Sequence, residues 1–136
     1  VPDSLLIFGA GYGFEALAQA EWLARCQVFY WGDIDTHGFA ILDQLRACLP
    51  HAHSLLMDRA TLLAFESQWG KEEKQTDRML SRLNTEESAL YDDLRENKLG
   101  QNLRLEQERI GFGWVENALT LLLSHNQITN LDNIWG

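Results

Sequence analysis

Tyr30-Trp31-Gly32-Asp33-Ile34-Asp35-Thr36-His37-Gly38-Phe39-Ala40-Ile41-Leu42 joins two unlike patterns. Before it, Gln27 to Trp31 is an apolar run rich in β-formers that ends at Gly32-Asp33. After it, Phe39, Ile41, Leu42, Leu45 and Leu49 recur at helical spacing until Pro50 stops them. The junction predicts a strand passing into a helix, with Asp33 and Asp35 at the strand's carboxyl end, where parallel α/β sheets bind ligands. On an extended segment, residues two apart point to the same side. Two carboxylates held close repel unless a proton or a cation intervenes. Mg²⁺ takes one or two carboxylates together with waters and substrate phosphates. Such a site can activate a nucleophile and stabilise a leaving oxygen in phosphodiester chemistry. The competing reading is a turn with two solvated aspartates, one of them capping the helix that starts near His37. His37 itself suits either catalysis or a local hydrogen bond at the helix start.

Working outward, residues 4–8 read as a buried strand followed by the turn Gly9-Ala10-Gly11-Tyr12-Gly13. A helix is expected from Phe14 to Arg25, where Ala16, Leu17, Ala20 and Leu23 repeat at helical spacing. His53 to Met57 reads as a third strand ending at Asp58, and residues 59–68 as a helix. Strand and helix thus alternate three times, which implies crossover connections and a parallel sheet. Residues 70–82 are charged and mixed in sign, a solvated helix or a loose connection. Asn84-Thr85-Glu86-Glu87 is an N-cap signature opening a helix to Asn97. Asn97 to Asn102 is a turn, Leu103 to Ile110 is expected to be extended, residues 114–124 form a last amphipathic helix, and 125–136 a tail. No internal repeat or low-complexity tract occurs.

The chain of 136 residues is long enough for one domain with a real core. Its 46% hydrophobic content, with five Trp and six Phe, fits a globular protein. No apolar run approaches the length of a membrane span, so no membrane association is expected. Cys26 and Cys48 each lie in or beside apolar sequence, which suits buried thiols in a reducing cytoplasm. The start, Val-Pro-Asp-Ser, has neither an initiator Met nor a basic n-region and leads at once into Leu5-Leu6-Ile7-Phe8. The chain is therefore expected to be a fragment of a longer protein. Its formal net charge is −9. Nucleic-acid binders usually carry a basic patch, so contact with DNA would require metal ions or other segments to offset the acids.

Two motifs imitate other chemistries and fail on one residue each. Gly9-Ala10-Gly11-Tyr12-Gly13 resembles a dinucleotide fingerprint, but Phe14 stands where the third glycine belongs. An aspartyl phosphatase of the haloacid-dehalogenase type requires Thr or Val two places after the second Asp, where this chain has His37.

Four ordered words spread over Leu5 to Ile110 carry a family resemblance. They are Ile7-Phe8-Gly9 with Gly11-Tyr12; Tyr30 to Leu42; Leu55-Leu56-Met57-Asp58-Arg59 with Thr61-Leu62; and Arg104-Leu105-Glu106-Gln107-Glu108-Arg109-Ile110. Together they resemble the C-terminal domain of the nuclease subunit of Wadjet systems, bacterial anti-plasmid defence complexes built around an SMC-like motor. That domain in turn is similar to the Toprim fold of topoisomerase VI A subunits. The resemblance implies an α/β, Toprim-like Rossmannoid domain, with a parallel sheet flanked by helices and a helical C-terminal part. Residues 1–124 would form the domain, without its first strand, and 125–136 the tail.

In that fold a Glu from an earlier strand joins an Asp-x-Asp pair in holding Mg²⁺ or Mn²⁺. Asp33 and Asp35 match the pair. The Glu would precede the Gly-rich turn, and Glu15, inside the expected helix, is no substitute, so the fragment by itself is expected to be inactive. The implied function of the intact protein is metal-dependent cleavage of double-stranded plasmid DNA, with SMC-like motor subunits as partners and a homodimeric assembly. Hydrolysis is favoured over a covalent tyrosine intermediate, because Tyr12 and Tyr30 sit where packing explains them.

Several further residues are candidates for orienting a metal water or holding phosphate. Asp58 can lie beside Asp33 or cap the helix after it, and Arg59 would face the same edge. Glu106 and Glu108 would point one way from an extended backbone, with Arg104 and Arg109 either binding phosphate or pairing with those acids. A docking module with an acidic surface, and a nucleotide-binding domain using the Gly9 to Gly13 turn, are the rival functions.

Overall fold

A computed structural model describes residues 4–8 and 25–126. Its centre is a three-stranded sheet in which β1 (Ser4–Phe8), β2 (Gln27–Trp31) and β3 (His53–Ser54) lie in the order 1-2-3. Both pairings are parallel: Ser4 to Phe8 run beside Gln27 to Trp31, and Phe29 and Tyr30 beside His53 and Ser54. The middle strand is buried along most of its length, with Val28 and Tyr30 wholly inaccessible. A strand covered on both faces has no reason to alternate polar and apolar residues, and Val-Phe-Tyr-Trp does not.

Helix α1 (Thr36–Cys48) crosses from β2 to β3. Phe39, Leu42 and Leu45 are inaccessible on its inner face, each contributing roughly 1.5–3 kcal/mol by burial. The third strand is shorter than expected, because Leu56 takes φ of 58°, a left-handed conformation rare for Leu that ends any strand. Helix α2 (Arg59–Ala64) is capped by Asp58, and the chain then tightens into a single 3₁₀ turn, Glu66–Gln68, rather than continuing to 68.

Residues 70–82 are neither a helix nor loose. Gly70–Lys71 forms β4, paired antiparallel with β5 (Leu103–Arg104), and Ile34 bridges to Leu105 just after β2. Helix α3 (Thr85–Arg95) begins with the reciprocal capping box that Asn84 and Glu87 foreshadow. Tyr91 on α3 meets Phe39 on α1 edge to face, ring centres 6.4 Å apart. The turn after α3 is closed by Asn97 and Asn102, both at positive φ, where Asn is among the better-tolerated residues. Helix α4 (Phe112–Asn126) packs through Val115 and Leu119, and Trp114 donates its indole N–H to Thr61 Oγ1 at 2.9 Å. The architecture is α/β, a parallel three-stranded sheet flanked by helices, with a C-terminal helix. No helix among the described residues is long and apolar enough to cross a membrane. The Gly9 to Gly13 turn, most of the helix expected at 14–25, and residues 127–136 of the tail lie outside the described residues.

Candidate functional site

The β2–α1 junction is built around a close approach. Gly38 sits so near the Asp33 carbonyl that an added Cβ would lie 2.0 Å from the oxygen. This brings the start of α1 against the end of β2 and sets both aspartates on one cavity of about 350 Å³. Tyr30, His37, Gly38, Arg104 and Glu108 also line it.

The two aspartates are held differently. Asp35 is almost fully buried and caps α1: one carboxylate oxygen accepts from Gly38 N–H at 2.6 Å, the other from Arg104 Nε at 2.7 Å. Asp33 is half-buried; Oδ1 accepts from Gln107 N–H at 2.8 Å, and its other oxygen accepts no hydrogen bond from the described residues. Both carboxyls are pushed above their ordinary range. For Asp33 the causes are burial, then the charges of Asp35 and Glu106, against the Gln107 N–H and Arg104. For Asp35 they are burial and the charge of Glu72, against the Gly38 N–H and Arg104. Carboxyls perturbed by burial and neighbouring charge in a cleft are a common sign of a functional site.

Glu72 is the residue that sequence reasoning misses. It comes from the segment after β4, is 1% exposed, and grips the first turn of α1. Its carboxylate accepts from Thr36 N–H at 3.2 Å, Thr36 Oγ1 at 2.7 Å and His37 N–H at 3.1 Å, and it pairs with His37 Nδ1. The Lys71-Glu72-Glu73-Lys74 sequence around it has the look of a solvated turn and carries no local signal of burial. His37 is thus held at the helix start by a residue far along the chain, not by a local hydrogen bond, with its ring on the cavity.

The other expected residues divide. Arg104 joins the site through Asp35, not through Glu106 or Glu108. Glu106 and Glu108 do not alternate on a strand, because Gln107–Arg109 is a 3₁₀ turn. Glu108 still lines the cavity, and the charge of Glu106 reaches Asp33. Asp58 is not beside Asp33: its carboxylate accepts from Thr61 N–H at 2.8 Å, and it lines a separate cavity of about 620 Å³. Arg59 lines that second cavity too and pairs with Asp93 at 2.7 Å, so it neither faces nor neutralises the Asp33 and Asp35 carboxylates.

Tyr30 borders the cavity but is wholly buried, and burial, then Asp33 and Asp35, pushes its phenol far above the ordinary value. A phenolate nucleophile there is disfavoured. The donor set suits a hard cation: two carboxylates, one with an oxygen that takes no partner among the described residues. Among the described residues no three His, Cys, Asp or Glu side chains cluster as a complete metal cage. Water and phosphate oxygens would have to complete the coordination, as they commonly do for Mg²⁺.

The family model described as Wadjet protein JetD, C-terminal, matches residues 1–119 of the chain. No curated protein matches it.

Proposed function

Because the chain belongs to the Wadjet JetD C-terminal family, and so to a component of a multi-subunit Wadjet anti-plasmid system, we propose that it supplies the metal-binding centre of a DNA endonuclease. Asp33 and Asp35 would hold Mg²⁺ or Mn²⁺. The carrying observation is that both carboxylates open on one cavity at the carboxyl end of the central parallel strand, with one Asp33 oxygen accepting no hydrogen bond from the described residues. A Toprim-like relationship accords with an Asp-x-Asp pair at that point of a parallel sheet.

The cation would supply Lewis acidity at a phosphodiester and lower the pKa of a water. The residues have distinct tasks around it. The Gly38 N–H and Arg104 keep Asp35 fixed, and the Gln107 N–H fixes Asp33, so little reorganisation is required of the protein. Arg104 lines the cavity and carries the positive charge nearest the pair. His37, held through Nδ1 by Glu72, keeps Nε2 for a substrate oxygen or a water. The burial of Tyr30 argues against that residue as a covalent nucleophile, and hydrolysis is the reaction proposed. Duplex DNA would be delivered by SMC-like motor subunits to a homodimer, so base readout by this domain is not required.

The test is nicking of supercoiled plasmid by the full-length protein with Mg²⁺ or Mn²⁺, wild type beside Asp33→Asn. Metal-dependent nicking abolished by the substitution is expected. Equal nicking by both proteins would refute the assignment. Failure of both, in the reconstituted complex, would favour a non-catalytic docking role. Protein covalently trapped on cut DNA in a denaturing gel would overturn hydrolysis.

A further inference from the structure

A chain of net charge −9 must meet a polyanion locally if it meets one at all. Of its eleven Lys and Arg side chains, six (Arg46, Arg59, Arg82, Arg95, Lys98 and Arg104) are in ion pairs. The others, Arg25, Lys71, Lys74, Arg78 and Arg109, have no acidic partner among the described residues. Four of these five lie in segments fastened to the Asp33 and Asp35 cavity. Arg109 ends the turn whose Gln107 N–H binds Asp33. Lys71, Lys74 and Arg78, all exposed, lie on the segment that carries Glu72.

That segment has a defined path. Gly70 and Lys71 pair with Arg104 and Leu103. Glu72 donates its N–H to Asn102 O at 2.7 Å and sends its carboxylate to Thr36 and His37. Thr76 N–H donates to Thr36 Oγ1 at 2.9 Å, and Arg78 O accepts from the Tyr91 hydroxyl at 2.6 Å. Lys74 therefore sits midway between two residues both bound to Thr36, next to Asp35. By sequence, Lys71 to Arg78 is electrically neutral. The fold changes that outwardly. Glu72 is turned inward and buried, while Asp77 stays exposed and shares Arg95 with Asp92 and Glu96. Glu73 and Asp77 thus remain outward against three exposed cations.

We propose that Lys71, Lys74 and Arg78 form a rail that holds the sugar-phosphate backbone of duplex DNA beside the Asp33 and Asp35 cavity. The proposal rests on the nuclease reading for its substrate, but its test does not depend on cleavage. Such contacts position the duplex without reading its sequence.

The experiment measures anisotropy of a short labelled duplex with the full-length protein, in EDTA, over a series of salt concentrations. Each phosphate contact contributes about 0.9 to the slope of log affinity against log salt. The Lys71→Gln, Lys74→Gln, Arg78→Gln variant should therefore lose about 2.7 from that slope, equally for unrelated duplex sequences. The charge-keeping variant Lys71→Arg, Lys74→Arg, Arg78→Lys should keep it, as should Lys98→Gln, whose cation is already paired with Glu96. A triple Gln variant with a native circular dichroism spectrum and the wild-type slope would overturn the rail, as would absence of duplex binding by wild type. Wild type that binds through the rail but never cuts with Mg²⁺ or Mn²⁺ would leave the rail standing and remove the nuclease reading. Cutting with an unchanged slope in the triple variant would do the reverse.

Discussion

Gly38→Ala offers a test in which two physical effects predict opposite signs. Gly38 is the third residue of α1, and Ala is the better helix former by about 1 kcal/mol. Propensity alone therefore predicts a more stable protein. The packing predicts the reverse. A Cβ at residue 38 would stand 2.0 Å from the Asp33 carbonyl oxygen and 3.1 Å from its carbon, where ordinary contact begins at 3.4 Å. The obstacle is backbone, and a Cβ has no rotamer by which to avoid it. Relief requires moving the end of β2 or the start of α1, and with them the 2.6 Å bond from Gly38 N–H to Asp35. Overpacking of this kind costs about 1–3 kcal/mol, and a loosened N-cap about 1 more. Set against the propensity gain of about 1 kcal/mol, the net expectation is a loss of about 1–3 kcal/mol, read as a lower urea midpoint at unchanged slope. Gly113→Ala in α4 is the control: nothing lies within 4 Å of its added Cβ, so it should be neutral or stabilising by up to about 1 kcal/mol. Gly38→Ala as stable as wild type would refute the close approach on which the site's geometry rests.

Three further outcomes follow from named groups. Glu72→Ala leaves the Thr36 and His37 N–H groups without their acceptor and should cost about 2–5 kcal/mol by denaturant titration; a loss under about 1 kcal/mol would contradict a buried anchor. Burial alone would raise the Glu87 carboxyl, but hydrogen bonds from Arg46, Ser54 and the Asn84 N–H outweigh it and hold it below the ordinary value. Its contribution is therefore present above the unfolded value of about 4.3 and lost as pH falls through the lower folded one, so the deficit of Glu87→Gln should be full near neutrality and close in acid. The Asp33 carboxyl is raised, so its ionisation opposes folding as pH rises past the unfolded value. In EDTA, Asp33→Asn should then melt above wild type at neutral pH and level with it in acid, whereas added Mn²⁺ should raise only wild type; a wild-type melting temperature indifferent to Mn²⁺ would argue against a metal at this pair.

The parts legible in the sequence are those governed by local chemistry. The apolar run of β2, the helical period of α1 and the Asn84 to Glu87 capping box each signal themselves within a few residues, and each forms as expected. The aspartates are legible too, as residues closing a strand. What they bind is not, because the Arg104 and Gln107 partners come from about seventy residues on. Residues 70–82 fail for the same reason. A run of alternating charges looks solvated until a distant helix start offers three donors to one of them. Arg59 fails in the opposite sense, since its place after β3 suggested the site's edge while Asp93 on α3 takes its guanidinium elsewhere.

The two readings of the acidic pair, a helix cap and a ligand site, are not exclusive in this fold. Asp35 spends one oxygen on the cap and the other on Arg104, so it behaves first as a structural residue. Yet both commitments fix where its charge lies, next to an Asp33 of which one oxygen takes no partner among the described residues. Burial raises both carboxyls, with the charges of Asp35 and Glu106 adding at Asp33 and that of Glu72 adding at Asp35, a cost the protein carries without any packing benefit at Asp33. A pair kept only for the cap would need one aspartate, since Asn, Ser or Thr at residue 33 would equally offer an oxygen to the Gln107 N–H. The second charge has no structural task that a neutral residue could not perform. That surplus of negative charge, held in a cavity fastened to a segment whose cations have no acidic partner among the described residues, is the strongest physical support for the proposal of a divalent metal and a phosphate at the site.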